Sequence, residues 1–222
     1  MRTVAFVNPK GGAGKTTAAL LLALGLYERG ARVALVDGDP NRPLVHWGSL
    51  PNRPDRVSVH AAPTEQDLPD ALREAKGKRP DWIIVDTEGT LRAGMNFHVA
   101  RPELVLTPLA SSMLEALQAV KSAELVQDAR RRTRIPMRHV CVFTRLPAAL
   151  RPRSLREVVE MLKAKEIEIL DTPLIEKEAF RTLFSTGGGL EALGATGARL
   201  IAERYVAAVL NVLDVPQAAS SG

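Results

Sequence analysis

The sequence predicts an α/β fold, a doubly wound and mostly parallel sheet with helices on both faces. Two observations carry this expectation. Short apolar runs alternate along the 222 residues with longer stretches that suit helices. A glycine-rich segment, Lys10-Gly11-Gly12-Ala13-Gly14-Lys15-Thr16-Thr17, begins three residues after the first of those runs, Val4–Val7, where a strand passes into a helix.

Taken in order, Val4–Val7 predicts the first strand and Lys15 to Glu28 the first helix. Arg32–Val36 and Trp82–Val85 are apolar strands that end in carboxylates, and Val57–Ala61 is an extra strand before a helix over Gln66–Lys76. Glu103–Pro108 reads as a buried strand, followed by a long helix from Ser111 to about Arg132 and a strand over Val140–Thr144. A helix at Pro152–Ala164, a short strand at Glu168–Leu170, a segment at Ile175–Phe184 and a final helix near Gly197–Leu213 complete the chain. Lys76–Pro80 and Pro147–Pro152 carry the turn signals of exposed connections, and Gly187-Gly188-Gly189 reads as a mobile turn. The length suits one domain over residues 1–215, with 216–222 as a frayed tail.

The glycine-rich loop carries the chemistry. Glycines at 11, 12 and 14 let successive N–H groups curl inward around phosphate oxygens. Lys15 reaches the β- and γ-phosphates, Thr16 offers a hydroxyl to Mg²⁺, and the positive end of the helix dipole adds to the anion site. Ala13 and Thr17 complete the loop. In an open parallel sheet, ligands sit outside the carboxyl ends of the strands. Asp37-Gly38-Asp39-Pro40-Asn41 and Asp86-Thr87-Glu88-Gly89 end two of the strands, so Asp37, Asp39 and Asp86 are expected to converge on the loop. Mg²⁺ takes one or two carboxylates together with phosphate oxygens and water.

The loop has Pro9 where the usual phosphate-binding spacing has glycine, and it offers a second lysine, Lys10, at its front. That arrangement resembles the deviant Walker A box of the ParA/MinD family of partition and positioning ATPases. The strand ends resemble the family's Asp-x-Asp-Pro-Gln and Asp-Thr-Pro-Pro boxes, with Asn41 for Gln and Glu88-Gly89 for the two prolines. The resemblance implies a P-loop NTPase that binds ATP and Mg²⁺ and hydrolyses ATP. It implies that Lys10 crosses a dimer interface to the partner's nucleotide. Asp86 is implied to hold a Mg²⁺-bound water, Asp37 to help hold the metal shell, and Asp39 to orient the attacking water. Thr144-Arg145 stands where the family often has Asn-Arg at the adenine, so Thr144 is implied at the base. Asp39-Pro40-Asn41-Arg42-Pro43-Leu44 with Trp47 is most similar to a branch of short ParA-like proteins, which includes the ATPase that assists T-DNA processing. These motifs lie in the first 90 residues; the resemblance covers most of the chain.

Composition limits the remaining classes. The net charge of +5, with a sequence pI near 9.7, invites an anionic partner. Arg130, Arg131, Arg132 and Arg134 close the long helix, and Arg151, Arg153 and Arg156 cluster later; either group is a candidate contact to DNA phosphates. Arginines at a helix C-terminus also suit the dipole, and a solvated charge run is the commoner meaning of such a stretch. No run approaches the roughly 20 apolar residues of a membrane span, and no signal segment precedes the first strand. The single Cys141 reads as a buried thiol, and His46, His60, His98 and His139 show no ligand spacing.

Three functions fit the motifs. The first is a ParA-type switch: an ATP-dependent homodimer that binds DNA non-specifically, with a ParB-like adaptor that stimulates hydrolysis, in the cytoplasm and on the nucleoid when ATP-bound. The second is a MinD-like membrane switch, which needs a basic amphipathic C-terminal helix; no Lys or Arg follows Arg204. The third is a P-loop small-molecule kinase or ligase, for which no acceptor pocket is legible.

Overall fold

The computed structural model describes residues 1–87, 97–146 and 152–214, with 152–154 as backbone alone. Glu88, Gly89, Arg151, the Arg153 side chain and the 216–222 tail lie outside the described residues.

Seven strands form one sheet: β1 (Arg2–Phe6), β2 (Val33–Gly38), β3 (Val57–Ala61), β4 (Trp82–Thr87), β5 (Leu104–Leu109), β6 (Arg138–Phe143) and β7 (Glu168–Ile169). Their order is β3-β2-β4-β1-β5-β6-β7, and every pair runs parallel. Parallel strands covered on both faces carry near-continuous apolar residues, and β2, β4 and β5 are buried along nearly their full length. The predicted extra strand, β3, forms one edge of the sheet.

Helices cover both faces. On one side lie α1 (Lys15–Glu28), α2 (Pro43–Ser49), α7 (Glu178–Thr186), a 3₁₀ turn (Leu190–Leu193) and α8 (Gly197–Asp214). Phe6, Leu20, Leu24, Trp47, Phe180 and Tyr205 form their common core. On the other side α3 (Leu68–Gly77), α4 (Phe97–Ala100) and α5 (Met113–Thr133) pack over Ala5, Val36, Ile83 and Val105. There α6 (Pro152–Ala164) joins α5 over Cys141 and Phe143. Cys141 is fully buried, which pushes its thiol pKa far up.

Three differences from the sequence expectation have local causes. The seven residues of α2 are too short a segment for a helical period to show; Pro43 supplies the φ of a first turn, and Asp37 holds the Val45 N–H. The second is α4, which has only four residues. The third is the triple glycine, which forms a turn but a buried one. Gly187 ends α7 at φ 73°, and a Cβ there would lie 2.5 Å from the Pro51 carbonyl oxygen.

Candidate nucleotide site

The loop between β1 and α1 is held by backbone geometry. Gly14 caps α1 at φ 86° and Gly12 sits at φ 77°, a left-handed region that glycine enters without steric cost. Polar side chains fasten the loop from beneath. Asn8, fully buried, donates to the Pro108 carbonyl at 2.6 Å and accepts from the Lys10 N–H at 2.8 Å. Thr87 donates to the Phe6 carbonyl at 2.7 Å, and Arg145 donates to the Gly12 carbonyl.

Thr144 lines the cleft and also braces the loop. It is buried, and its hydroxyl donates to the Ala13 carbonyl at 2.7 Å. A hydroxyl has one proton to donate. That proton braces the loop, so Thr144 cannot also donate to a base.

The carboxylates meet as expected, with distinct environments. Asp37 and Asp86 are direct partners across β2 and β4, at the carboxyl ends of both strands. Gly38 between Asp37 and Asp39 is required by that approach, because a Cβ would lie 2.6 Å from the Asp86 carbonyl oxygen. Asp86 is 1% exposed, and neither carboxylate oxygen has a hydrogen-bond partner. Burial raises its pKa to about 7; the nearby Thr16 hydroxyl and Lys15 ammonium oppose the rise, and the Asp37 and Asp39 charges add to it. A buried carboxylate with both oxygens open, facing a threonine hydroxyl and a phosphate-binding loop, fits a hard divalent cation. Among the described residues, no cluster of three or more acidic, histidine or cysteine side chains forms a complete cage. The remaining ligands of Mg²⁺ would be phosphate oxygens and water.

Asp37 also accepts hydrogen bonds from the backbone. One oxygen accepts from the Asp39 N–H at 3.2 Å and the other from the Val45 N–H at 2.9 Å. Burial raises its pKa, and those backbone donors pull it back. It therefore shapes the loop that carries Asp39 and starts α2. Asp39 is half-exposed at the cleft, and one of its oxygens accepts from Asn41 N–H and Nδ2 at 2.8 and 3.0 Å.

The two lysines differ in the same way. Lys15 is buried above the loop and donates to the Asn8 and Lys10 carbonyls at 3.3 and 3.4 Å. Lys10 is exposed at the mouth, its ammonium paired with Glu115, a carboxylate 3% exposed in the first turn of α5.

A cleft of about 690 Å³ opens over the loop, large enough for a nucleotide-sized ligand. Gly11, Gly12 and Gly14 to Thr17 line its near end with Asp39 and Asn41. Arg145, Leu174, Glu176, Phe180 and Arg181 line the far end. Glu176 lies between Arg145 at 3.4 Å and Arg181 at 2.5 Å, and these cations hold its pKa below the usual range, Arg181 most strongly. Sequence reading named Arg145 beside Thr144 but missed the rest of this far wall, along with Asn8 and Glu115.

The arginine groups fall on opposite edges of the sheet. Helices that follow parallel strands begin at the cleft edge and end at the other. Arg130 to Arg134 close α5 and so lie at the far edge, whereas Arg156 is in the early turns of α6. Arg130 is half-buried and donates to the Met137 carbonyl, and its burial lowers its pKa. Arg131 and Arg132 both pair with Asp128, at 3.4 and 2.6 Å.

Comparison with known proteins bears on this site. The ParA protein of Rhizobium radiobacter is 29% identical over 87% of this chain and 86% of its own. Among solved structures, a Cyanothece McdA variant in complex with ATP superposes with a TM-score of 0.69 at 17% identity, over 94% of this chain and 96% of that one. Cobyrinic acid a,c-diamide synthase of Mycobacterium smegmatis, with bound ATP analogue and magnesium, gives 0.72 at 21% identity, over 96% of both. McdA and a synthase thus share the fold, and the fold alone does not choose between their functions. A model of the VirC1 protein family matches residues 1–218. With its deviant loop, its paired strand-end carboxylates and that match, the chain belongs to the VirC1 family of ParA/MinD-type P-loop ATPases.

Proposed function

We propose that the chain is an ATP-driven switch that positions a cargo. ATP with Mg²⁺ closes two copies into a dimer, the dimer binds DNA without sequence preference, and hydrolysis stimulated by a ParB-like adaptor resets it. The observation that carries this reading is Lys10. Lys15 already lies within the loop of its own subunit, so a second lysine at the mouth is not needed there for phosphate. Two triphosphates facing each other across an interface repel, and a lysine from each side offsets that charge.

The other residues take roles that follow from their surroundings. Lys15 and the loop N–H groups bind the phosphates, and Thr16 and Asp86 hold the metal. Asp39, half-exposed at the cleft and held in its turn by Asn41, orients water. The bound Mg²⁺ would neutralise charge developing on the phosphoryl oxygens. The likeness to a ParA protein supports the partition reading over the small-molecule enzyme.

Light scattering with excess ATP tests the proposal. The native protein is expected to double in mass with ATP and not with ADP, and Lys10→Ala to bind ATP while remaining a monomer. A normal ATP-dependent dimer in Lys10→Ala overturns the role given to Lys10.

A further inference from the structure

We propose that the sheet edge remote from the nucleotide cleft is the surface that docks the phosphate backbone of duplex DNA, organised by three arginines that end helices in a left-handed conformation. Arg79, Arg101 and Arg134 have φ of 51°, 48° and 55°, within two residues of the ends of α3, α4 and α5. Where a helix ends in that conformation the residue is usually glycine and sometimes asparagine, because a Cβ there is strained. Of the seven non-glycine residues with positive φ among the described residues, five are arginine, so backbone preference does not account for the choice. Residues held in a disfavoured conformation cluster where function requires them.

The three lie together. They precede β4, β5 and β6 by three or four residues, and these strands are neighbours or flank β1 alone. Because α3, α4 and α5 pack on one face, all three arginines emerge at one rim, roughly 14 Å across at three strand spacings. All three are exposed, as are Lys76 and Lys78 beside Arg79. The row stops at the end of α6, where Glu166 holds the equivalent left-handed position at φ 54°.

The stretch of rim around these arginines keeps its charge because the acids beside them are occupied by other cations. Glu103 pairs with Arg2, Asp81 with Arg32, and Glu168 with Arg138. Arg79, Arg101, Arg134, Lys76 and Lys78 have no acidic partner among the described residues. Duplex DNA offers one charge per roughly 1.7 Å of axis, so a rim of this width meets several phosphates. Of the exposed large apolar side chains among the described residues, Met113, Leu114 and Leu117 start α5 at the cleft edge, and Met1 precedes β1 at this rim. A membrane surface would need apolar anchors alongside the charge.

This inference rests on the DNA-binding part of the proposed function and adds its geometry. Dimerisation through the cleft leaves both rims free at the outer ends, so ATP raises DNA affinity by pairing two weak sites.

The test is Arg79→Gly/Arg101→Gly/Arg134→Gly, since glycine suits each backbone position and the fold is kept. Binding of an arbitrary 40-base-pair duplex is followed by anisotropy with ATP over a range of salt. The variant is expected to keep its melting temperature and basal ATPase, to lose at least about tenfold in affinity, and to show a log–log salt slope shallower by roughly 0.9 per lost contact. The matching arginine-to-lysine triple is expected to bind within about threefold of the native protein. A glycine triple that binds with native affinity and slope overturns the rim while leaving DNA binding intact. An equal loss on neutralising Lys121 and Arg204 instead, which lie in the middle of α5 and α8, also overturns it, by showing bulk charge to be enough. Native protein that dimerises on ATP and ignores DNA, or that prefers anionic phospholipid vesicles, overturns both this surface and the DNA-binding reading beneath it.

Discussion

The ammonium of Lys10 and the carboxylate of Glu115, 105 residues apart, form an ion pair at the mouth of the nucleotide cleft. Its two sides are unequal, with side-chain exposure of 49% for Lys10 and 4% for Glu115. The second Glu115 oxygen is buried without a hydrogen bond. Within one subunit, then, the lysine is held by the carboxylate that loses most if it leaves.

If Lys10 serves the partner's nucleotide, Glu115 competes for it. Glu115→Gln keeps the shape and removes the buried charge, so it is expected to lower the ATP concentration for half-maximal dimerisation by roughly three- to tenfold. Titration of dimer mass against ATP reads this directly. An unchanged midpoint would show that the pair is not a brake.

Asp86 ties stability to pH. Its pKa rises from 3.8 to about 7 on folding, so the folded state binds the proton more tightly than the unfolded chain. Stability from this group is complete below pH 4, declines as pH rises toward 7, and is lost above it, a difference on the order of 4 kcal/mol. Asp86→Asn is therefore expected to raise the melting temperature of nucleotide-free protein at pH 8 and to change it little at pH 4. The same variant should weaken binding of ATP in Mg²⁺ far more than in chelator. A melting temperature at pH 8 that falls on substitution would refute the assignment.

Asp37 and Asp39 should separate. Asp37 holds two backbone N–H groups, and its removal leaves both without a partner, at about 1–3 kcal/mol each before water enters. Asp37→Ala is expected to lose stability and nucleotide affinity together. Asp39→Ala is expected to melt normally, bind ATP, and turn over at least about a hundredfold more slowly, because orienting the nucleophile is a large part of phosphoryl-transfer catalysis. Calorimetry paired with single-turnover hydrolysis distinguishes them. Identical losses in both variants would show that Asp39 too is structural.

Thr144 should matter through the loop, not the base. Thr144→Val keeps the volume and removes the donor to the Ala13 carbonyl, an expected cost of about 1–2 kcal/mol. Affinity for ATP and GTP is expected to fall by the same factor, since the loop contacts phosphates common to both. A change in the ATP-to-GTP ratio on competition binding would restore Thr144 to the nucleobase.

The parts of this protein that the sequence determined are those written in neighbouring residues. Gly-Lys-Thr after an apolar run needs only a strand, a turn and a helix start, all within about fifteen residues, and Asp37 and Asp86 announce themselves at strand ends. The order of strands and most helices follows from the same local periodicity. Tertiary structure decided what depends on distant partners. Glu115 reaches Lys10 only because β5 lies beside β1, and Thr144 reaches Ala13 across 131 residues because β6 lies next to β5. Asp37 meets the Val45 N–H only because α2 folds back over the end of β2. Arg79, Arg101 and Arg134 look like scattered loop charges in the chain. They share a rim because parallel strands bring every helix on one face to an end at the same edge, a relation between segments that no local pattern encodes.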